Sequence, residues 1–206
     1  MSRKLTFAAA GLAAVLALSG AAIAQDPFTR APAEIRAGVY TLDPAHSKIT
    51  WSVSHMGFST YVGQFAKVDG QLTLDPRRPE ASRLDVTVDA NSVGTLNDAL
   101  DKHLKTADFL DTAKFPTATF KATRIRVTGE RTADITGDLT LHGVTRPVTL
   151  EAEFNQAGVN PVDKTYSLGF DAEAKIKRSD FGITAYLPGV GDEVELEIEA
   201  ELKLAK

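Results

Sequence analysis

In the stretch EVELEIEAELKL, residues 193–204, Val194, Leu196, Ile198, Ala200, Leu202 and Leu204 alternate strictly with Glu193, Glu195, Glu197, Glu199, Glu201 and Lys203. A period of two puts all the apolar groups on one face of a β-strand and all the charges on the other. A helix would scatter the same residues around its cylinder, so only the strand buries them together.

The same alternation recurs upstream. In KTYSLGFDAEAKIK, residues 164–177, Tyr166, Leu168, Phe170, Ala172, Ala174 and Ile176 share a side. In SKITWSVSH, residues 47–55, Ile49, Trp51, Val53 and His55 do so, which turns the His55 ring toward the dry face. Further runs at 64–74, 83–90, 117–127, 133–141 and 147–154 bring the strand count to eight or nine. Gly63, Gly70 and Gly137 interrupt these runs where curvature or bulges are expected. Residues 142–146, HGVTR, read as a hairpin connection. The segment 95–111, TLNDALDKHLKTADFLD, lacks alternation. Leu96, Leu100, His103 and Leu104 stand three or four residues apart, which predicts a short helix capped by Asn97 and ended before Phe115-Pro116.

So many half-dry strands must hide one face and manage their edges, and one helix cannot cover them. The expected fold is all-β, an antiparallel barrel or sandwich with a short helical insertion. A barrel of about eight strands is just wide enough to be filled by side chains or to hold one small ligand. Periodicity does not choose between filled and hollow.

The chain has 206 residues, 43% hydrophobic and 24% charged, which suits one sizeable domain. Residues 1–24 combine Arg3 and Lys4, an apolar run from Leu5 to Leu18 and Ala22-Ile23-Ala24 before Gln25, the pattern of a cleaved secretory signal peptide. Residues 25–38 read as a flexible leader, and 39–206 as the domain. Cleavage would remove two of 23 basic groups and none of 27 acidic ones, leaving a net charge of −6. That balance argues against nucleic acid as a partner. The chain has no cysteine, which excludes disulfides, thiol catalysis and cysteine zinc sites.

Residues that strand periodicity does not explain form ordered motifs: Tyr40-Thr41-Leu42-Asp43-Pro44-Ala45-His46-Ser47, Gly63-Gln64-Phe65, Asp101-x-His103-Leu104-x-x-x-Asp108-Phe109, Phe115-Pro116-x-x-x-Phe120, Gly137 to Thr145, and Arg178-Ser179-Asp180-Phe181-Gly182. Together, over about residues 39–204, they resemble the YceI-like polyisoprenoid-binding proteins. Leu110 departs from the pattern, which has a second aromatic there. The resemblance implies an extended, hollow, lipocalin-like antiparallel eight-stranded barrel that holds an isoprenoid-like amphiphilic lipid in a bacterial periplasm. Holding such a lipid needs no covalent chemistry, and no cofactor or metal is expected.

On that footing Trp51, Val53, Val68, Leu72, Val86, Phe120, Leu139, Phe170 and Ile176 are expected to line the lipid tail, and Phe58, Phe109 and Phe181 to gate the ends. His55, His103, Arg178 and Asp180 are the candidate head-group residues. For KRSDFGI, residues 177–183, two readings stand. Either its charges lock a strand-ending corner, or Arg178, held by Asp180, faces the ligand. His46 is expected to fix its turn, His142 to belong to a hairpin, and His55 to need a partner, from protein or ligand. A metal reading would join a histidine to Asp43, Asp101 or Asp108, but no two histidines show a tight ligand spacing. The rival functions are a lipid-acting enzyme with His55 or His46 as base, and a solid-cored structural or stress-related protein. Transient membrane contact and a homodimer through an edge or mouth are compatible with the pattern.

Overall fold

The computed structural model describes residues 28–205. The expected signal peptide and its cleavage site lie outside them. The wall has eight positions, three of which are chain passes broken in the middle. β2 (Gly38–Leu42) continues as β3 (Lys48–His55), β4 (Ser59–Phe65) as β5 (Val68–Leu74), and β6 (Arg83–Asp89) as β7 (Val93–Gly94). The other five are β8 (Thr117–Val127), β9 (Thr132–Leu141), β10 (Val144–Val159), β11 (Tyr166–Lys177) and β12 (Val190–Leu204). A two-residue strand, β1 (Phe28–Thr29), adds to the edge of β10.

The glutamate-rich β12 closes the cylinder. One edge pairs with β11 from Ser167↔Lys203 to Lys177↔Glu193. The other pairs with β3 and then, past Glu199, with β2. Every pairing is antiparallel, as the alternation predicts. Beyond Asp89, where β6 leaves β8, the wall between β4 and β8 is completed by α1 (Asp98–Leu104) and the loop 105–116. Asn97 caps α1, accepting from the amides of Ala99 and Leu100 at 3.1 and 3.2 Å. Leu96 is not on the helical face as expected; it precedes the cap, in left-handed backbone and fully exposed.

The glycines play a different part from the bulges expected of them. Register shifts fall instead at Ala122/Arg124, Phe154/Gln156 and Val190/Val194. Gly63 lies opposite Trp51, and a Cβ there would stand 2.2 Å from the indole Cζ2. At Gly137 a Cβ would stand 2.4 Å from Cζ of Phe120. Both glycines give an aromatic ring room to lie against the wall.

The leader is not loose once it reaches Phe28. β10 runs past the end of β9, and its free edge at Ala157 and Gly158 takes Thr29 and Phe28. Ile35 is buried among Tyr40, Ala157, Tyr166 and Leu168, and Arg36 lies 4.3 Å over the Tyr166 ring. Tyr40 donates its hydroxyl to the Arg36 carbonyl at 2.5 Å, and burial pushes its pKa up to about 12. These residues pack together at the end of the barrel away from the β3–β4 hairpin.

The break between β2 and β3 is held by Asp43. Its carboxylate takes the Ala45 amide at 3.0 Å, His46 Nδ1 at 2.7 Å and Lys203 Nζ at 2.8 Å. Lys203 and His46 hold its pKa well below the usual carboxylate range, against the opposing effect of burial. A depressed pKa means stability that is complete above about pH 4, the ordinary aspartate value, and lost as pH falls toward the folded-state value. Asp43→Asn should therefore cost about 1–3 kcal/mol at pH 7 and flatten the acid limb of a plot of Tm against pH. Parallel acid limbs in the two proteins would contradict this account of the knot.

Candidate functional site: a two-chambered apolar bore

Between the inward faces of the strands the barrel is hollow. An outer chamber of about 480 Å³ opens at the end carrying the β3–β4 hairpin and α1. An inner chamber of about 230 Å³ lies deeper, with Leu42, Phe154 and Leu202 among its walls. Ile49, Val88, Ala118, Leu139 and Leu196 line both. Beyond the inner chamber lie Ile35, Tyr40, Tyr166 and Leu168, at the end away from the β3–β4 hairpin.

The outer chamber takes Trp51, Val53, Phe109 and Ile176 from the expected tail-lining set, and the inner takes Val68, Leu72, Val86, Phe120 and Phe170. Leu139 belongs to both. Two residues are placed elsewhere. Phe58 sits at the tip of the β3–β4 hairpin, 89% exposed, because the turn carries it outward past the last strand pair. Phe181 is 1% exposed and packs with Phe120, Val148, Ala174 and Ile176 as core, so it is not a gate.

The polar candidates divide similarly. His55 lines the outer chamber with its ring 6.4 Å from Tyr61. His103 lines it too, bonded through Nε2 to Asp108 at 3.1 Å. Its ring stands edge-on to Phe109 and Tyr186, which stack with centroids 5.9 Å apart, so three rings flank the mouth. Arg178 borders the same chamber, but its guanidinium is engaged by the backbone. It donates to the carbonyls of Gly191, Ile183 and Val190 at 2.8, 3.0 and 2.9 Å. Burial lowers its pKa, with Asp192 opposing that shift.

Asp180 does not hold Arg178; it is exposed on the outer surface of the barrel. The acid of this corner is Asp192, which accepts from the Ser179 amide and hydroxyl at 2.9 and 2.8 Å, and those two bonds lower its pKa. Gly182, at φ 78, ends the turn in left-handed backbone. KRSDFGI is thus a corner that ties the end of β11 to the start of β12.

Several lining residues escaped the sequence reading. Tyr61 and Phe65 share a face of STYVGQF, residues 59–65, and extending the period-two test by five residues would have found them. Tyr186 and Leu110 come from loops, where periodicity gives no signal. Trp51 Nε1 is buried with no hydrogen-bond partner among the described residues. Among the described residues Asp43, His46 and Glu201 could together hold a metal ion. Lys203 Nζ already sits on the same Asp43 oxygen as His46, however, so a cation would have to displace an ammonium.

Residues 40–202 match the YceI-like domain family. The chain belongs to that family. It is 45% identical over 156 residues to the protein YceI of Salmonella arizonae, covering 76% of this chain and 81% of that one. Among solved structures, BcnA of Burkholderia cenocepacia superposes with a TM-score of 0.71 at 26% identity, covering 78% of this chain and 98% of BcnA. A polyisoprenoid binding domain from Saccharophagus degradans has the same fold, with a TM-score of 0.60 at 18% identity over 82% of this chain and all of that one. The YceI-like barrel described here thus has the expected lipocalin-like form.

The corner makes a prediction that separates structure from ligand contact. Arg178→Lys keeps the charge but cannot reach three carbonyls, and should cost about 2 kcal/mol or more in a denaturant titration. Asp180→Asn should stay within about 0.5 kcal/mol of the parent. An unchanged Arg178→Lys midpoint would show that the tie does not hold the corner.

Proposed function

We propose that this YceI-like protein binds an isoprenoid-like amphiphilic lipid, of polyprenyl or quinone type, non-covalently in its bore, and sequesters or carries it in the periplasm. The observation that carries the reading is a bore of two chambers, lined predominantly by apolar side chains and sharing the lining residues Ile49, Val88, Ala118, Leu139 and Leu196. Leucine, valine, isoleucine, alanine and phenylalanine dominate both chambers; Lys48, Arg131 and Glu199 are among the residues lining the inner one, and His55, Tyr61, His103 and Tyr186 among those lining the outer one. A linear apolar tail suits such a bore, and the histidine and tyrosine side chains of the outer chamber can meet a polar end. Burial contributes roughly 0.8 kcal/mol per CH₂ before ordering costs, so a few isoprene units suffice for useful affinity.

Family membership supports the reading, as does the polyisoprenoid binding named for the Saccharophagus domain. The signal-peptide pattern of residues 1–24 supports the compartment. Phosphate-type head groups are favoured at the lip rather than inside. Among the described residues Arg178 is the only lysine or arginine lining the outer chamber, and it is committed to carbonyls. His46, bonded to Asp43 at the wall break, lines neither chamber and is badly placed to act as base on a lipid in the bore.

Trp51 is the sole tryptophan and lines the outer chamber, so its fluorescence reports on the bore. A short-chain ubiquinone should quench it saturably at one equivalent. Gly63→Leu pushes the indole off its seat and into the cavity, and should weaken binding about tenfold or more, as expected for overfilling a packed site. Gly63→Ala tests the same step with less risk to folding and should lie between the two. Unsaturable quenching, or equal affinity in all three proteins, would count against the reading.

A further inference from the structure

The connections around the mouth carry large apolar side chains that none of the described residues covers. Phe58 and Leu96 are almost wholly exposed, and Met56 and Tyr186 about half so. Three of these four lie in left-handed backbone, Met56 at φ 53, Leu96 at φ 62 and Tyr186 at φ 62. That region is unfavourable for residues with a bulky side chain. Here the strain is borne at residues that then present apolar groups to water, which neither local preference nor core packing explains.

The four residues belong to one end of the barrel. The Met56 amide donates to the Gly189 carbonyl at 2.7 Å, tying the β3–β4 hairpin to the loop that holds Tyr186. Phe58 is two residues along the same hairpin. β7 runs antiparallel to β4, so the chain after Gly94 climbs toward the mouth and reaches Leu96 just before α1.

We propose that this rim seats the mouth on a lipid bilayer, with Met56, Phe58, Leu96 and Tyr186 dipping into the interfacial layer, so that a lipid moves between bilayer and bore without crossing water. The inference rests on the lipid-binding reading above. Four side chains offer far less than the roughly 1,200 Å² of total buried area that a stable protein interface needs. Shallow insertion of aromatic and aliphatic side chains into a membrane surface needs no more than this. Charge does not select the partner: on and beside α1, Asp98, Asp101 and Asp108 are interspersed with Lys102 and Lys105. The hold is therefore apolar and does not require anionic lipid.

The test is flotation of the protein purified from its own cells with neutral phosphatidylcholine vesicles, at low and high salt. Phe58→Ser and Leu96→Ser should each reduce vesicle partitioning about tenfold, the effect of withdrawing one large apolar side chain from the interface. Salt should change nothing. Val162→Ser, at an equally exposed residue in the hairpin of the opposite end, should float like the parent. All three variants should keep parental quenching of Trp51 by the short-chain ubiquinone, which separates docking from binding. The proposal is overturned if the rim variants float like the parent, if flotation needs anionic lipid at low salt, or if sedimentation shows a dimer that Phe58→Ser dissolves. Absence of quinone quenching in the parent would instead sink the lipid-binding reading beneath it.

Discussion

Everything in this protein depends on how two aromatic rings are seated. A wall of eight strand positions, completed at the mouth by α1 and its loop, leaves an interior that large side chains could fill. Trp51 faces Gly63 across a strand pair, and Phe120 lies over Gly137 on the neighbouring strand. Because those glycines have no Cβ, the indole and the phenyl ring lie along the wall and do not project across the bore. The space they give up becomes the two chambers, which share Ile49, Val88, Ala118, Leu139 and Leu196 in their walls.

The two ends are built for different purposes. At one, the leader folds back, Ile35 enters the core and Arg36 covers Tyr166, so that the chain packs into that end of the barrel. At the other, the wall is completed by a seven-residue helix and a loop instead of paired strands. The Arg178 guanidinium spends three donors on carbonyls there, and Asp192 pins Ser179, so the corner beside the mouth is fixed without a hydrophobic plug. A cylinder with its own leader packed at one end and a propped mouth at the other is suited to hold an elongated molecule by its tail.

The strands were readable from the sequence because alternation follows directly from a wall with one dry face. Val194 to Leu204 and Tyr166 to Ile176 could be placed without knowing their partners. The helix cap at Asn97 was equally local. Hollowness was not readable, since inward leucines look the same whether they meet or face a void; only the register that sets Trp51 over Gly63 decides it. The corner was half legible. KRSDFGI showed that something was held there, but Arg178 found carbonyls of Ile183, Val190 and Gly191, and backbone acceptors leave no mark in a sequence. Phe58 was misplaced for a related reason: a hairpin tip breaks the alternation that sorts inside from outside.

The central claim is that the bore is an occupied greasy channel and not an incidental gap in packing. Solvent extraction and mass spectrometry of the protein purified from its own cells, without detergent, tests it most directly. The account predicts about one equivalent of a lipid with an isoprenoid tail, absent from a Gly63→Leu preparation made in parallel. Repeated preparations that yield only buffer components, from a parent whose bore also refuses added quinone, would contradict it.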